Sequence, residues 1–170
     1  DVFLTEGVKM FIEAPDSHIQ TVYISESFWK QGECREKLEV CGYEIVADDL
    51  FRKISDTQTP QGILCVMKRF HYKMKDILHN EAPLILVLEN LQDPGNLGTM
   101  RRIGEGAGID GIIISSDSVD MYNPKTIRAT MGSVYRLPFI YEETLSKRIS
   151  QLKENGVKIY AAHLDAEVFY

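Results

Sequence analysis

Apolar residues recur at helix-like and strand-like spacings, in short alternating units, over residues 3–68. Spacings of three or four residues indicate one face of a helix, and short β-branched runs indicate strands. The predicted units are a helix opened by Thr5 and Glu6 and continued by Val8, Met10, Phe11 and Ile12, strands at 19–24, 43–46 and 61–67, and helices at 26–41 and 48–54, the last capped by Asp48 or Asp49. This half therefore predicts a small α/β unit.

A basic stretch with interleaved aromatic residues, Lys-Arg-Phe-His-Tyr-Lys-Met-Lys at 68–75, follows this unit. Basic side chains can track phosphates and aromatic faces can stack on bases, so an RNA-contacting tether is one interpretation. A solvated connector with one or two anchoring aromatic residues is the other, and the stretch fits both.

The pattern changes after Pro83, where the unbroken apolar run at 84–88 is typical of a strand buried on both faces of a parallel sheet. The elements predicted after it are a helix ending near Ala107, a strand at 111–115, helices at 124–130 and 142–154, and a strand at 157–162. Strands that alternate with helices predict a parallel sheet with crossover helices.

The loop at 90–102 joins a predicted strand to a predicted helix, which is where open α/β sheets bind ligands. Gly95 permits a sharp turn, and Asn96 is the predicted helix cap. Arg102 lies less than two helical turns beyond Asn96, so both side chains can face one pocket. Glycines around this helix favour close packing or a close ligand, with a weak helix as the alternative; they are Gly98, Gly104, Gly106 and Gly108.

Two ordered motifs extend over the second half of the chain. The pattern N-x-x-D-P-x-N-x-G-x-x-x-R occupies 90–102, and Asn-Pro-Lys-Thr-Ile-Arg-Ala-Thr-Met-Gly-Ser-Val-Tyr-Arg-Leu-Pro occupies 123–138. In order and spacing these motifs resemble the SpoU (TrmH) family of the SPOUT methyltransferases. Phe-Leu-Thr-Glu-Gly at 3–7 and Gln-Thr-Pro-Gln-Gly-Ile at 58–63 resemble the substrate-binding domain that precedes many of these enzymes.

The resemblance implies an α/β fold with a small N-terminal L30e-like α/β domain at 1–70, a linker at 71–82 and a parallel-sheet SPOUT (α/β knot) methyltransferase domain at 83–170. It also implies that the chain stops before the family's G-N-E-G loop and terminal S-L-N segment. Those segments supply most of the cofactor pocket and thread the trefoil knot. We therefore expect a domain that is truncated before the knot is complete.

The resemblance also implies an activity and its residues, namely transfer of a methyl group from S-adenosylmethionine to a ribose 2′-hydroxyl by a homodimer. Asn96 and Arg102 correspond to the family's catalytic positions, and Ala162, His163 and Leu164 to cofactor-binding positions. Arginine stays protonated far above neutral pH, so we interpret Arg102 as orienting the hydroxyl and a neighbouring phosphate and not as a free base.

Charge and cysteine content restrict the partners of the chain. The formal net charge of −6 is unfavourable for a general nucleic-acid binder, so RNA contact must be local. We predict an RNA-binding patch beside Arg102 that consists of Arg101, Lys125, Arg128 and Arg136. Three cysteines without a C-x-x-C spacing favour reduced thiols, and we expect no metal. The apolar runs are too short to cross a membrane and no signal peptide is evident, which predicts a cytoplasmic protein.

Three functions compete at this point. The first is an RNA (ribose-2′-O)-methyltransferase that acts on ribosomal RNA, with transfer RNA as the second choice of substrate. The second is a non-catalytic RNA-binding protein that retains the methyltransferase fold. The third, a generic nucleotide-binding α/β protein, is the weakest, because neither G-x-G-x-x-G nor a P-loop follows a predicted strand.

Overall fold

Two β-sheets organise residues 1–162, the part of the chain that this computed structural model describes. The strands are β1 (Val2–Glu6), β2 (Ile19–Ser25), β3 (Glu44–Val46), β4 (Ile63–Lys68), β5 (Ile85–Leu88), β6 (Gly111–Ser115) and β7 (Phe139–Glu142). The helices are α1 (Val8–Glu13), α2 (Glu26–Gln31), α3 (Arg35–Cys41), α4 (Asp48–Ile54), α5 (Met74–Ile77), α6 (Pro94–Gly106), α7 (Pro124–Thr130) and α8 (Leu145–Glu154). Short 3₁₀ turns lie at Asp16–His18 and Ser133–Tyr135.

The first half forms a four-stranded sheet of order β1-β4-β2-β3, which confirms the predicted α/β unit. Strand β4 runs antiparallel to β1 and β2, while β3 runs parallel to β2. Strand β1 was not predicted, and the helix predicted from Thr5 begins instead at Val8 after Gly7. Pairing with β4 explains why residues 2–6 form a strand, because Phe3 and Thr5 then point into the core and their neighbours point outward.

The helix predicted over 26–41 is two helices. The first ends at Gly32, whose backbone is left-handed at φ 78°, and Cys34 before the second is also left-handed at φ 58°. Neither conformation continues an α-helix, so the chain turns between them. The predicted cap of α4 is wrong, because Ala47 takes that position and the Asp48 carboxylate accepts hydrogen bonds from the backbone and hydroxyl of Ser27.

The second half forms a parallel sheet of order β5-β6-β7, as the alternation of strands and helices predicted. Strand β7 was not predicted as such, and the helix expected from residue 142 begins at Leu145. The strand expected at 157–162 is absent from the described structure, where this segment joins neither sheet. Val157 and Ile159 instead pack on the apolar cluster around Ile77 and Ile113.

The core of the first half also contains side chains from the second half. Ile127 of α7 and Val134 and Tyr135 of the 3₁₀ turn pack with Phe3 and Phe11 in one buried cluster. The Tyr135 hydroxyl donates to the carbonyl oxygen of Met10 at 3.1 Å. The two sheets are therefore joined by shared apolar burial.

Tyr122 of the second half binds the segment at 68–75 that connects the two sheets. Its hydroxyl accepts a hydrogen bond from the backbone N–H of Phe70 at 2.8 Å and donates to the carbonyl oxygen of the same residue at 3.1 Å. The Arg69 guanidinium lies 4.6 Å from the centre of the Tyr122 ring. These contacts favour the anchored-connector interpretation of residues 68–75.

Residues 1–162 also carry information about membrane and metal partners. None of their helices combines the length and apolar character needed to cross a membrane. Within the same part of the chain, no three His, Cys, Asp or Glu side chains come together in a group suited to a metal ion.

Candidate active site

The loop between β5 and α6 lies where two parallel strands end, and side-chain hydrogen bonds hold it to the end of β6. Asn90 is left-handed at φ 48°, and its backbone N–H donates to the Ser115 hydroxyl at 2.8 Å. The backbone N–H of Leu91 donates to Ser118 Oγ at 3.0 Å. The Gln92 amide donates to Asn90 Oδ1 at 2.6 Å. The loop thus has a defined shape before α6 begins.

Helix α6 begins with Asp93 as its cap, and the prediction that Asn96 caps it is wrong. The Asp93 carboxylate accepts a hydrogen bond from the backbone N–H of Asn96 at 2.6 Å, and Pro94 occupies the first helical position. This hydrogen bond, with Lys125 nearby, holds the pKa of the Asp93 carboxyl below its ordinary value. A proline at that position loses no helical hydrogen bond, so the residue before it becomes the cap.

Asn96 and Arg102 are brought to the same helix and both are exposed on its outer side. Because Asp93 caps the helix, the Asn96 side chain does not act as the cap. Within residues 1–162, neither Asn96 nor Arg102 uses its side chain in a hydrogen bond or an ion pair. Their polar groups are therefore accessible to an RNA, and their catalytic roles stay predictions.

Arg101, the residue before Arg102 in this helix, points into the core and has no exposed surface. Its Nη2 donates to the carbonyl oxygens of Val134, at 3.2 Å, and of Leu137. Burial lowers the pKa of this guanidinium to about 10, so it remains charged at neutral pH. The predicted RNA contact at Arg101 is wrong for this structure, because helical geometry turns the side chain inward.

The other three residues of the predicted RNA patch are exposed and form ion pairs with acidic side chains. Lys125 Nζ lies 3.6 Å from Asp93 Oδ2, and Arg128 forms an ion pair with Asp56. Arg136 pairs with Glu13 at 2.7 Å and with Glu105, and these carboxylates raise the pKa of its guanidinium. Their charges are locally balanced, so RNA phosphates would have to replace these carboxylates.

Of the predicted cofactor contacts, only Ala162 lies within the described residues, whereas His163 and Leu164 lie outside them. Ala162 is exposed in a segment without regular structure that follows α8.

Two features of the site were missed from the sequence. One is Asp93 as the helix cap, which the following Pro94 could have indicated. The other is the burial of Arg101, for which the signal is the spacing Leu97, Arg101, Gly104. Residues at i, i+4 and i+7 share one helix face, and Leu97 marks that face as the inward one.

Comparison with protein families and known proteins gives a consistent picture. Residues 83–170 match the SpoU rRNA Methylase family. The chain is 33% identical over 120 residues to the 23S rRNA (guanosine(2553)-2′-O)-methyltransferase RlmP of Bacillus subtilis, covering 71% of this chain and 46% of that protein. It is 44% identical over 90 residues to the human mitochondrial rRNA methyltransferase 3, covering 51% of this chain and 21% of that protein. The chain thus spans less than half the length of these relatives.

Solved structures share the fold over most of the chain. A crystal structure of an rRNA methyltransferase from Sinorhizobium meliloti with AdoMet bound has a TM-score of 0.74 and 28% identity, and the match covers 88% of this chain and 57% of that one. The SpoU methyltransferase AviRb from Streptomyces viridochromogenes, at 22% identity, also has a TM-score of 0.74 over 91% of this chain and 60% of that one. At the latter identity the similarity concerns the fold alone.

Proposed function

This chain belongs to the SpoU rRNA methylase family, and from that membership we propose that the full-length protein methylates a ribose 2′-hydroxyl in ribosomal RNA. The observation that carries the proposal is on α6, where Asn96 and Arg102 are both exposed at the motif's spacing and where, among residues 1–162, neither side chain forms a hydrogen bond or an ion pair. The two relatives compared above, which are named as rRNA methyltransferases, support ribosomal RNA as the substrate over transfer RNA.

The reaction exchanges a C–S bond for a C–O bond and transfers one proton. When bound, S-adenosylmethionine supplies a methyl group on a positively charged sulfur. The ribose oxygen forms a C–O bond to that methyl as the C–S bond breaks, and the hydroxyl proton leaves to an RNA phosphate or to water. The protein must hold the oxygen in line and needs no metal for this chemistry.

We assign the orientation of the RNA to Arg102 and Asn96. A guanidinium grips a phosphate through two parallel N–H donors and stays protonated at neutral pH, so Arg102 orients the phosphate beside the reacting ribose. The Asn96 amide donates to or accepts from a ribose hydroxyl. Ala162, with His163 and Leu164, would contact the cofactor through backbone groups.

We also propose that RNA reaches this helix through a local exchange of ion pairs. Lys125 and Arg128 release Asp93 and Asp56 when phosphates approach, which permits contact despite the net charge of −6. Such contacts are salt-dependent, because phosphate neutralisation releases counterions. Arg136 pairs with two carboxylates and would be released less readily.

The proposed assembly is a homodimer with an L30e-like domain at residues 1–70 that selects the substrate. Supporting the dimer, Met100 and Ile103 leave 39% and 63% of their surfaces exposed on the outer side of α6, beside Arg102. Apolar residues in such a position favour cover by another protein surface. The cytoplasmic location stays a prediction, since the relatives include bacterial and mitochondrial proteins.

The experiment is methyl transfer from tritiated S-adenosylmethionine by the full-length protein. Unmodified large-subunit ribosomal RNA and a transfer RNA mixture serve as parallel substrates, and digestion to nucleosides identifies the product. We expect 2′-O-methylated nucleosides from ribosomal RNA. If the protein binds RNA but neither transfers a methyl group nor binds the cofactor by calorimetry, it is a non-catalytic RNA-binding protein.

The variant Arg102→Lys tests the assigned residue. Lysine keeps the charge but cannot grip a phosphate through two parallel N–H donors, so we expect kcat/KM to fall by about 10- to 100-fold. Arg148→Lys on α8, outside the proposed RNA patch and the substrate-selecting domain, is the matched control and should retain the wild-type value. Unchanged turnover in Arg102→Lys would show that Arg102 does not orient the reacting groups.

A further inference from the structure

The buried guanidinium of Arg101 occupies a position where the helix pattern calls for an apolar side chain. Leu97 lies one turn earlier on the same face and is fully buried. Removing a charge from water is unfavourable unless other groups replace the water. Among residues 1–162 no carboxylate forms an ion pair with Arg101, and its Nε has no hydrogen-bond partner. The charge must therefore serve something besides packing.

What Arg101 holds is the turn between α7 and β7. Its Nη2 donates to the carbonyl oxygens of Val134, within the 3₁₀ turn, and of Leu137, just before β7. Its Nη1 approaches Met121 Sδ at 3.7 Å, and its guanidinium carbon lies 4.9 Å from the centre of the Phe139 ring. One side chain thus joins α6 to the middle and to the end of this turn.

The turn has one 3₁₀ turn, Ser133–Tyr135, with backbone hydrogen bonds of its own, and the residues on either side of it have no regular structure. Met131 and Gly132, which open it, are both left-handed, at φ 51° and 98°. Left-handed backbone in a non-glycine residue persists only where the surroundings impose it. The hydrogen bonds from Arg101 are part of those surroundings, because they anchor the carbonyl oxygens that follow.

The inward face of α6 contacts residues 126–137 at three successive positions along the helix. Gly98 lies against α7, Arg101 binds the turn, and Glu105 pairs with Arg136. These positions are three and four residues apart and so share one side of the helix. Asn96 and Arg102 project from the same helix outside this buried face, so the position of the face against the turn determines where those two side chains lie.

We propose that Arg101 is a positioning residue for methyl transfer. By binding the carbonyl oxygens of Val134 and Leu137 it keeps α6 in one position against the turn. It thereby holds Arg102 in the orientation that the reaction needs. The proposal rests on the proposed function for its link to turnover. An apolar side chain of similar size fills the same space but offers no donor to the two carbonyl oxygens.

The test compares Arg101→Met and Arg101→Lys in the full-length protein. For Arg101→Met we expect kcat for ribosomal RNA to fall by about 10- to 100-fold, with KM for RNA within about twofold, since misplacement affects the reacting groups more than binding. Arg101→Lys keeps a cation that can reach one carbonyl oxygen, so its kcat should lie between the values for the wild type and for Arg101→Met. Hydrogen exchange by mass spectrometry should show faster exchange confined to residues 131–137 and to α6.

The control is Leu152→Ala, which creates a cavity in the apolar cluster around Ile77 on the other side of the sheet. It should lower the melting temperature while leaving exchange at 131–137 and kcat unchanged at temperatures well below melting. This separates local positioning from general stability. If Arg101→Met does not fold, the comparison of Arg101→Lys with the control decides.

Wild-type kcat and unchanged exchange at 131–137 in Arg101→Met would overturn the proposal and leave Arg101 as a packing residue. Failure of the proposed function gives a different result. In that case the wild-type protein transfers no methyl group, while the exchange measurement still reports whether Arg101 holds the turn.

Discussion

Arg101 and Arg102 are adjacent in sequence and have opposite environments. The first is fully buried and bound to backbone carbonyl oxygens, and the second is exposed on the outer side of α6. Successive residues of an α-helix point about 100° apart, which is enough to separate core from surface at this position. Residue type alone, two arginines, therefore says little about the role of either.

At the same scale, Asp93 links local sequence to acid stability. Its carboxyl pKa is lowered, chiefly by the backbone N–H of Asn96, so its stabilisation is present above its ordinary pKa of 3.8 and is lost as pH falls through the lower folded value. We predict that Asp93→Ala lowers the melting temperature at pH 7 by about 2 °C, because the first turn loses its cap.

The variant Asp93→Asn separates the hydrogen bond from the charge. Asparagine caps helices about as well as aspartate, so thermal unfolding at pH 7 should stay near wild type. Between pH 5 and pH 2 the wild type loses the contribution of its carboxylate, whereas the asparagine variant has no group at this position to titrate, so the difference between the two melting temperatures should shift in favour of the variant. Equal melting temperatures for all three proteins would mean that Asp93 does not stabilise α6.

At the scale of elements, the contact between α6 and α7 depends on Gly98. A Cβ atom at this position would lie 2.5 Å from the Ala129 Cβ and 2.5 Å from the carbonyl oxygen of Thr126. Because one of these atoms belongs to the backbone, the helices would have to separate. We predict that Gly98→Ala lowers the free energy of unfolding by about 1–3 kcal/mol, measured by urea denaturation.

Gly106 of the same helix provides the control, since among residues 1–162 no atom outside the helix's own backbone lies within 4 Å of the position a Cβ would take. There alanine removes only the backbone freedom of glycine, so Gly106→Ala should raise the free energy of unfolding by about 0.5–1 kcal/mol. Opposite signs at the two glycines support backbone contact at Gly98. The same sign at both would argue against it.

At the scale of the whole molecule, the two halves share a core cluster, and the segment that connects them is hydrogen-bonded to the second half. Ile127, Val134 and Tyr135 of the second half are buried with the core of the first, and Tyr122 binds both backbone groups of Phe70. Contacts of this kind couple the halves during unfolding. We therefore expect residues 1–162 to unfold as one cooperative unit.

The variant Tyr122→Phe tests this coupling. Loss of the hydroxyl leaves the N–H and C=O of Phe70 without their partner, which should cost about 1–3 kcal/mol of unfolding free energy in urea. Hydrogen exchange should become faster at residues 69–72. Tyr160→Phe is the matched control, because Tyr160 is 87% exposed and its hydroxyl is expected to contribute less than about 0.5 kcal/mol. A loss at both tyrosines alike would refute the specific role of Tyr122.

The elements that sequence predicted well are those whose pattern is local. The apolar run before residue 89 and the strand at 111–115 are buried wherever they pack, and their order with the intervening helices gives the parallel sheet. The elements it missed depend on partners distant in the chain. Strand β1 forms against β4, more than 50 residues away, and the expected strand at 157–162 joins neither sheet of the described structure.

The candidate site divides in the same way. The sequence by itself determined the family, through the motif at 90–102, and with it the choice of Asn96 and Arg102. Only the tertiary structure decided that Arg101 faces inward to Val134 and Leu137, and that Lys125, Arg128 and Arg136 already carry acidic partners. The physical reason is that residue type and spacing are local properties, whereas burial and charge pairing depend on which distant segments the fold brings together.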